Sequence, residues 1–119
     1  MMDAPALADR SVLVLEDEYF IARQICDLLT AAGGRVIGPF SSVADALAAL
    51  PADCAVLDIN LHGEMQFQLA DRLEEQGVPF VFSSGYDRAV LPQRHAHRPF
   101  CLKPMLSAQL IGMLRTALR

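Results

Sequence analysis

The sequence predicts an α/β domain: a doubly wound, five-stranded parallel sheet in the order 2-1-3-4-5, with helices on both faces. Two observations carry this. Short apolar runs rich in β-branched residues alternate with segments of helical apolar spacing along 119 residues, the size of one ordinary domain with a single core. The connections between them are short, and right-handed crossovers then leave few arrangements besides a sheet covered on both sides.

Ser11-Val12-Leu13-Val14-Leu15 is an apolar run that reads as a buried strand by length and flanks. Phe20, Ile21, Ile25, Leu28 and Leu29 then recur at helical spacing, and Gly33-Gly34 stops that helix. Arg35 to Gly38 predicts a second, weaker strand ended by Pro39. Ser41 or Ser42 can cap a helix carrying Val43, Ala46, Leu47 and Leu50, which Pro51 closes. Asp53 to Leu57 is the third strand. The third helix is predicted from Glu64 to Gln76, with Phe67, Leu69, Ala70 and Leu73 inward and Gly77 at its end. Val78 to Ser83 is the fourth strand and Pro99 to Leu102 the fifth. Ser107 caps a last helix with Leu110, Met113, Leu114 and Leu118 on one face, weakened at Gly112 by about 1 kcal/mol relative to Ala. Between Asp87 and Arg98 the alternation calls for a fourth helix. Pro92 interrupts it, and His95-Ala96-His97-Arg98 lacks apolar periodicity, so this helix is expected to be short or irregular. On a strand His95 and His97 would share a face and could bind metal, but the pair is expected instead to face solvent in a loop. Met65, Met105 and Met113 read as core or edge packing.

Composition excludes several classes. With 53% apolar residues and no long low-complexity tract, the chain is not a disordered one. A net charge of −4 argues against a general nucleic-acid binder, which needs clustered Lys and Arg. The longest apolar stretches fall far short of a membrane span. Met1-Met2-Asp3-Ala4-Pro5 has neither a basic region nor an apolar region of a secretory signal, so residues 1–10 read as a frayed lead-in to a domain over 11–119. The cysteines, Cys26, Cys54 and Cys101, are odd in number and widely spaced. They fit small buried hydrophobes in a reducing cytoplasm rather than a disulfide or zinc framework.

The predicted strand order puts its switch point between the first and third strands, and ligands of such sheets bind at the carboxyl ends of the strands beside that point. Glu16 and Asp17 end the first strand there, and Asp58 follows the third. Ser84 ends the fourth strand, and Lys103 follows the fifth. Three converging carboxylates repel one another, and a hard divalent ion resolves the conflict. Mg²⁺ takes octahedral oxygen ligands, keeps several waters and uses one or two carboxylates. Asp17 and Asp58 suit direct ligation, Glu16 suits contact through a water, and the backbone carbonyl of Asn60 can complete the protein share. Asp58 can then act as a nucleophile on phosphorus. Lys103 supplies a compact second cation, Ser84 a hydroxyl, and Gly85 a close backbone approach. Taken singly, each feature has a plainer account: Asp58 as a turn residue, Glu16-Asp17-Glu18 as an acidic first helical turn, Lys103-Pro104 as a solvated loop. Their convergence on one sheet edge favours the site.

On these residues the chain resembles the receiver domain of bacterial two-component response regulators. The likeness runs from Ser11 to about Leu118 and rests on Val12-Leu13-Val14-Leu15-Glu16-Asp17-Glu18, on Asp58, on Ser84-Gly85-Tyr86 and on Lys103-Pro104. It implies the flavodoxin-like fold of a stand-alone, chemotaxis-type regulator. It implies that Asp58 receives a phosphoryl group from a histidine kinase or histidine phosphotransfer protein, that Glu16 and Asp17 bind Mg²⁺, and that Ser84 and Lys103 contact the phosphoryl group. It further implies that Phe100 changes rotamer with phosphorylation, and that Asn60 and Tyr86 tune dephosphorylation by controlling water access. The chain would be a cytoplasmic switch rather than an enzyme beyond its own phosphorylation chemistry. Its downstream protein target stays unspecified, and it could form a phosphorylation-dependent homodimer. No output domain is visible after Leu118-Arg119, so a stand-alone phosphate sink, relay member or binding switch is one expectation and a piece of a longer regulator the other. Two departures stand out. Ile59-Asn60-Leu61-His62-Gly63-Glu64 lacks the Pro common in the family after the phosphorylated Asp, so that loop is expected to differ in shape. The segment between Ser84 and Lys103 is short, which puts the usual output face on different footing.

Other classes fit less well. A pseudo-receiver that only binds partners would not need Asp58, Ser84 and Lys103 intact. Flavodoxins place a phosphate loop after the first strand, where Glu16-Asp17-Glu18 would repel a phosphate. Aspartate-nucleophile phosphatases carry an Asp-x-Asp pattern there, which this sequence lacks.

Overall fold

The computed structural model describes residues 5–103 and 107–119, with the side chain of Ser107 outside them. Five parallel strands make the central sheet: β1 (Ser11–Leu15), β2 (Arg35–Phe40), β3 (Cys54–Asp58), β6 (Phe80–Ser84) and β7 (Phe100–Leu102), in the order β2-β1-β3-β6-β7. Counting sheet strands alone, this is the 2-1-3-4-5 order. β4 (Asn60–Leu61) and β5 (Glu64–Met65) form a separate two-stranded hairpin. The helices are α1 (Tyr19–Ala31), α2 (Val43–Ala48), α3 (Gln68–Glu75) and α4 (Ser107–Ala117).

Strand alternation sorts the core into two layers. Leu13, Leu15, Leu57, Phe80 and Phe82 face the side covered by α2 and α3. Val12, Val14, Val56, Val81 and Cys101 face the side covered by α1 and α4. β3 and β6 are central and buried along their whole lengths. Each fully buried Phe or Leu there contributes about 1.5–3 kcal/mol relative to exposure, the reserve against which polar strand ends are held.

Local chemistry sets the element ends. Glu18 caps α1 by accepting from the backbone N–H groups of Phe20 and Ile21. Gly33, at φ +90°, closes α1 with paired bonds from Gly34 N to Leu29 O (2.9 Å) and from Gly33 N to Thr30 O (3.0 Å). Ser42, of the two candidates, caps α2 through Asp45 N. The Ser107 cap, the Lys103-Pro104 loop beyond Lys103, and Met105 lie outside the described side chains.

Several expectations are corrected. α3 starts at Gln68 rather than Glu64, because Glu64–Met65 pairs back on Asn60–Leu61 across His62-Gly63. Both turn residues have positive φ, +53° and +84°, the primed turn that matches strand twist. Met65 is exposed on that hairpin. β2 runs through Pro39 to Phe40, as an edge strand allows. Phe20 is 77% exposed rather than inward. Ahead of β1, Leu7 is fully buried and donates its N–H to Ala32 O, so the chain is packed from there onward rather than frayed.

The irregular stretch after β6 consists of two short 3₁₀ turns, Arg88–Val90 and Gln93–His95, in place of a fourth helix. His95 does not face solvent: it is 1% exposed, stacked on Phe67 and edge-on to Phe80 and Phe82. Its Nε2 donates to Asp71 Oδ1 at 2.7 Å, and Arg94 grips the same carboxylate with two bonds. His97 is exposed as expected. Arg88 closes the stretch on itself, donating to Ala96 O and Arg98 O while its guanidinium lies 5.3 Å over the Phe100 ring. Hydrogen bonds from side chains thus do what helix periodicity cannot do around Pro92.

Candidate functional site

β1 and β3 run side by side with Leu15 opposite Leu57, so their next residues emerge together at the carboxyl edge. Glu16 N donates to Phe40 O at 2.9 Å, which anchors the acidic pair to the end of β2. Glu16 is 3% exposed and Asp58 5%. Each of Glu16, Asp17 and Asp58 offers a carboxylate oxygen within 4.8 Å of the others. Buried carboxylates carry a desolvation cost of several kcal/mol unless they are compensated.

Lys103 gives part of the compensation. Its Nζ lies 2.5 Å from Glu16 Oε1 and 3.2 Å from Asp58 Oδ2. Lys103 N donates to Ser84 O at 2.7 Å, so the end of β6 fixes where the lysine enters. Burial opposes its charge, but Glu16 and Asp58 outweigh burial and hold its pKa above the usual lysine value. One ammonium does not balance three acids. Burial first, then the neighbouring Asp58 carboxylate, push Glu16 up to about 8 against the pull of Lys103. The cluster therefore holds surplus negative charge that a proton or a divalent cation relieves.

The β4–β5 hairpin supplies the other wall. Asn60 N donates to Asp58 Oδ1 at 3.0 Å, and His62 N donates to Asp17 Oδ2 at 2.9 Å. Asn60 sits opposite Met65, while Gln66 N bonds Ile59 O one step away. In an antiparallel ladder this alternation turns both the N–H and the C=O of Asn60 away from β5, to the side of Asp58. Asn60 Nδ2 also donates to the Tyr86 hydroxyl at 2.9 Å, and Tyr86 N donates to Ser84 Oγ at 2.9 Å. The half-exposed Tyr86 ring therefore bridges the ends of β3 and β6. The donor set of two or three carboxylates beside a carbonyl offers oxygen ligands and fits a hard divalent ion such as Mg²⁺.

Glu16, Asp17, Asp58, Asn60, Ser84, Tyr86 and Lys103 thus come together at one sheet edge. Phe100 is buried below them at the start of β7. Ser83, the neighbour of Ser84, is fully buried and lies opposite Asp58 in register. Sequence reasoning missed His62; the signal was the His62-Gly63 pair flanked by Asn60-Leu61 and Glu64-Met65, a two-residue hairpin turn. It also missed Arg88 and the Asp71–His95 contact, for which no local sequence signal exists.

No protein-family model and no curated protein matches the sequence. Solved structures do. SdrG from Sphingomonas melonis Fr1 is 32% identical with a TM-score of 0.76, over 95% of this chain and 98% of SdrG. The response-regulator REC domain of Erythrobacter litoralis PhyR is 24% identical with a TM-score of 0.79, over 93% of this chain and 91% of that domain. The anti-anti-sigma factor PhyR from Bartonella quintana is 21% identical with a TM-score of 0.79; the match covers 94% of this chain but 49% of that one, so the chain spans about half of its length. A five-stranded flavodoxin-like sheet with acids and a lysine at its carboxyl edge defines the class. The chain belongs to the response-regulator receiver domains, which are signalling modules. Among the described residues no helix is long and apolar enough to cross a membrane.

Proposed function

We propose that this domain is a phosphorylation-activated switch of a two-component system, with Asp58 as the phosphoryl acceptor and a phosphohistidine of a kinase or phosphotransfer protein as the donor. The observation that carries the reading is Asp58 itself: a buried carboxylate held by Lys103 on one oxygen and Asn60 N on the other, within reach of two further acids. Asp17 and Asp58 would hold Mg²⁺ directly, Glu16 through a water, and Asn60 through its carbonyl. Bound there, Mg²⁺ supplies charge neutralisation for the transferring group.

A carboxylate oxygen of Asp58 attacks phosphorus; the new O–P bond forms as the P–N bond to the donor imidazole breaks, and the imidazole leaves with the electron pair. The protein's share is positioning and electrostatics, since the transition state spreads negative charge over the equatorial oxygens. Lys103 faces that charge, and Ser84 offers a hydroxyl. Tyr86, tied to Asn60, limits water access to the acyl phosphate. Phe100 and the 3₁₀ segment beside it carry the change outward, and a protein partner or a second copy reads it in the cytoplasm. A BeF₃-activated conformation of a 31% identical SdrG supports the reading.

Incubation with a ³²P-labelled histidine kinase and Mg²⁺ tests this. Label should pass to the wild-type chain, should be lost with EDTA, and should be absent from Asp58→Asn. No transfer from any histidine donor would leave a partner-binding module that is not regulated by phosphorylation.

A further inference from the structure

His62 lies against Asp17 yet takes no step in the proposed phosphoryl transfer. It occupies the first position of the hairpin turn at φ +53°, a left-handed conformation in which Asn, Asp and His are the enriched non-glycine residues. The His62 ring reaches Ser41 O, with Nε2 3.1 Å away. A carbonyl only accepts, so Nε2 carries the ring proton and donates.

That bond closes a ring of contacts around the acidic pair. Ser41 follows Phe40, whose carbonyl accepts from Glu16 N. From the other side, the His62 backbone N–H donates to Asp17 Oδ2, and Asn60 N donates to Asp58 Oδ1. The hairpin is therefore pinned to the end of β2 by one imidazole, and the pinned hairpin sets one oxygen of Asp17, whereas the Asn60–Asp58 bond spans two residues and holds locally. The ring is largely exposed, and its Nδ1 lies 3.7 Å from the same Asp17 oxygen. Oδ1 of Asp17 accepts no hydrogen bond from the described residues and remains available.

We propose that His62 is a positioning residue for the divalent-cation site: its ring clamps the hairpin to Ser41 O so that its own N–H fixes Asp17 with one oxygen open. The inference rests on the proposed Mg²⁺ role of Asp17 and acts through that residue alone. Without the clamp the turn keeps its shape but loses its anchor, and Asp17 samples rotamers directed to water.

The test uses His62→Gly, which retains the left-handed turn and drops the ring, and His62→Gln, which restores an N–H donor of similar reach. Mg²⁺ affinity is measured by calorimetry on the full chain, alongside thermal unfolding without metal. The expected result is a loss of about tenfold in Mg²⁺ affinity for His62→Gly, in the range of outer-shell substitutions. Recovery of most of it in His62→Gln is expected too, with the metal-free melting temperatures of all three chains close together. In an Asp17→Asn background, adding His62→Gly should cost no further affinity, because the clamp acts through Asp17. An affinity for His62→Gly within twofold of wild type overturns the proposal, as does an undiminished further loss in the Asp17→Asn background. A wild-type chain that binds no Mg²⁺ overturns it together with the proposed function; a wild-type chain that binds Mg²⁺ while His62→Gly binds equally well overturns the clamp alone.

Discussion

Lys103 Nζ bridges Glu16 Oε1 at 2.5 Å and Asp58 Oδ2 at 3.2 Å, joining the ends of β1 and β3 through a residue at the end of β7. Replacing it with Met leaves two buried carboxylates without their cation. Breaking a buried pair from one side costs about 3 kcal/mol. Glu16, raised from 4.5 to about 8, holds its proton more tightly in the folded state across that window. The metal-free fold therefore loses stability as pH rises from about 5 to 8, and the Lys103→Met penalty should be larger at pH 8 than at pH 5. Urea unfolding of both chains at the two pH values reads this directly; a penalty that shrinks with rising pH would contradict it. Added Mg²⁺ should recover part of the loss.

Tyr86 joins Asn60 across the mouth of the site with a 2.9 Å bond to its hydroxyl. On the proposed reading, removing the ring admits water to the acyl phosphate. Loss of phosphate from Tyr86→Ala should be faster than from wild type by up to about tenfold, the worth of one hydrogen bond and its shielding. Tyr86→Phe, which keeps the ring, should fall between. Phosphate release after rapid removal of the donor measures this, and an unchanged rate counts against a shielding role.

Asp71 ties α3 to the segment that replaces the fourth helix. The Arg94 guanidinium holds its carboxyl below the usual range; burial opposes this, and His95 adds a smaller pull in the same direction as Arg94. A depressed acid contributes stability above its unfolded value near 3.8, and that contribution is lost as pH falls through its lower folded value. Asp71→Asn should therefore be less stable than wild type at pH 7, with the gap closing below about pH 4. His95→Ala, which empties a site among three Phe rings, should cost about 3 kcal/mol at pH 7. Denaturant midpoints across pH check both; a gap that persists at pH 2 would remove Asp71 from the account.

Gly112 sits inside α4, and a Cβ added there meets, beyond its chain neighbours and its own helix backbone, no atom of the described residues within 4 Å. Gly112→Ala should raise stability by about 1 kcal/mol through helix propensity alone. A thermal melt suffices, and a lower melting temperature would show that α4 packs more tightly at this point than the structure indicates.

The sheet was legible because its strands are nearly all apolar. Val12 to Leu15 and Cys54 to Leu57 can only be buried strands when bounded by acids and turns, and their order then places Asp58 beside Asp17. The chemistry at the strand ends was legible for the same reason: charge next to a buried run needs a partner. The hairpin was not, because Glu64 to Gln76 can be written on a helix, and only the pairing of Glu64–Met65 with Asn60–Leu61 decides against it. His95 was misplaced because its burial depends on Phe67, Phe80 and Phe82 and on Asp71, all distant in sequence. Phe20 shows the converse: helical spacing marked it as inward, yet in the first turn of α1 it stands exposed beside the likewise exposed Tyr19.

The central claim is that Asp58 accepts a phosphoryl group. Intact mass after incubation with Mg²⁺ and acetyl phosphate tests it most directly. The account predicts a single phosphoryl addition on the wild-type chain, dependent on Mg²⁺ and absent from Asp58→Ala. An addition that persists in Asp58→Ala would contradict it, and so would none on the wild-type chain with either acetyl phosphate or a phosphohistidine donor.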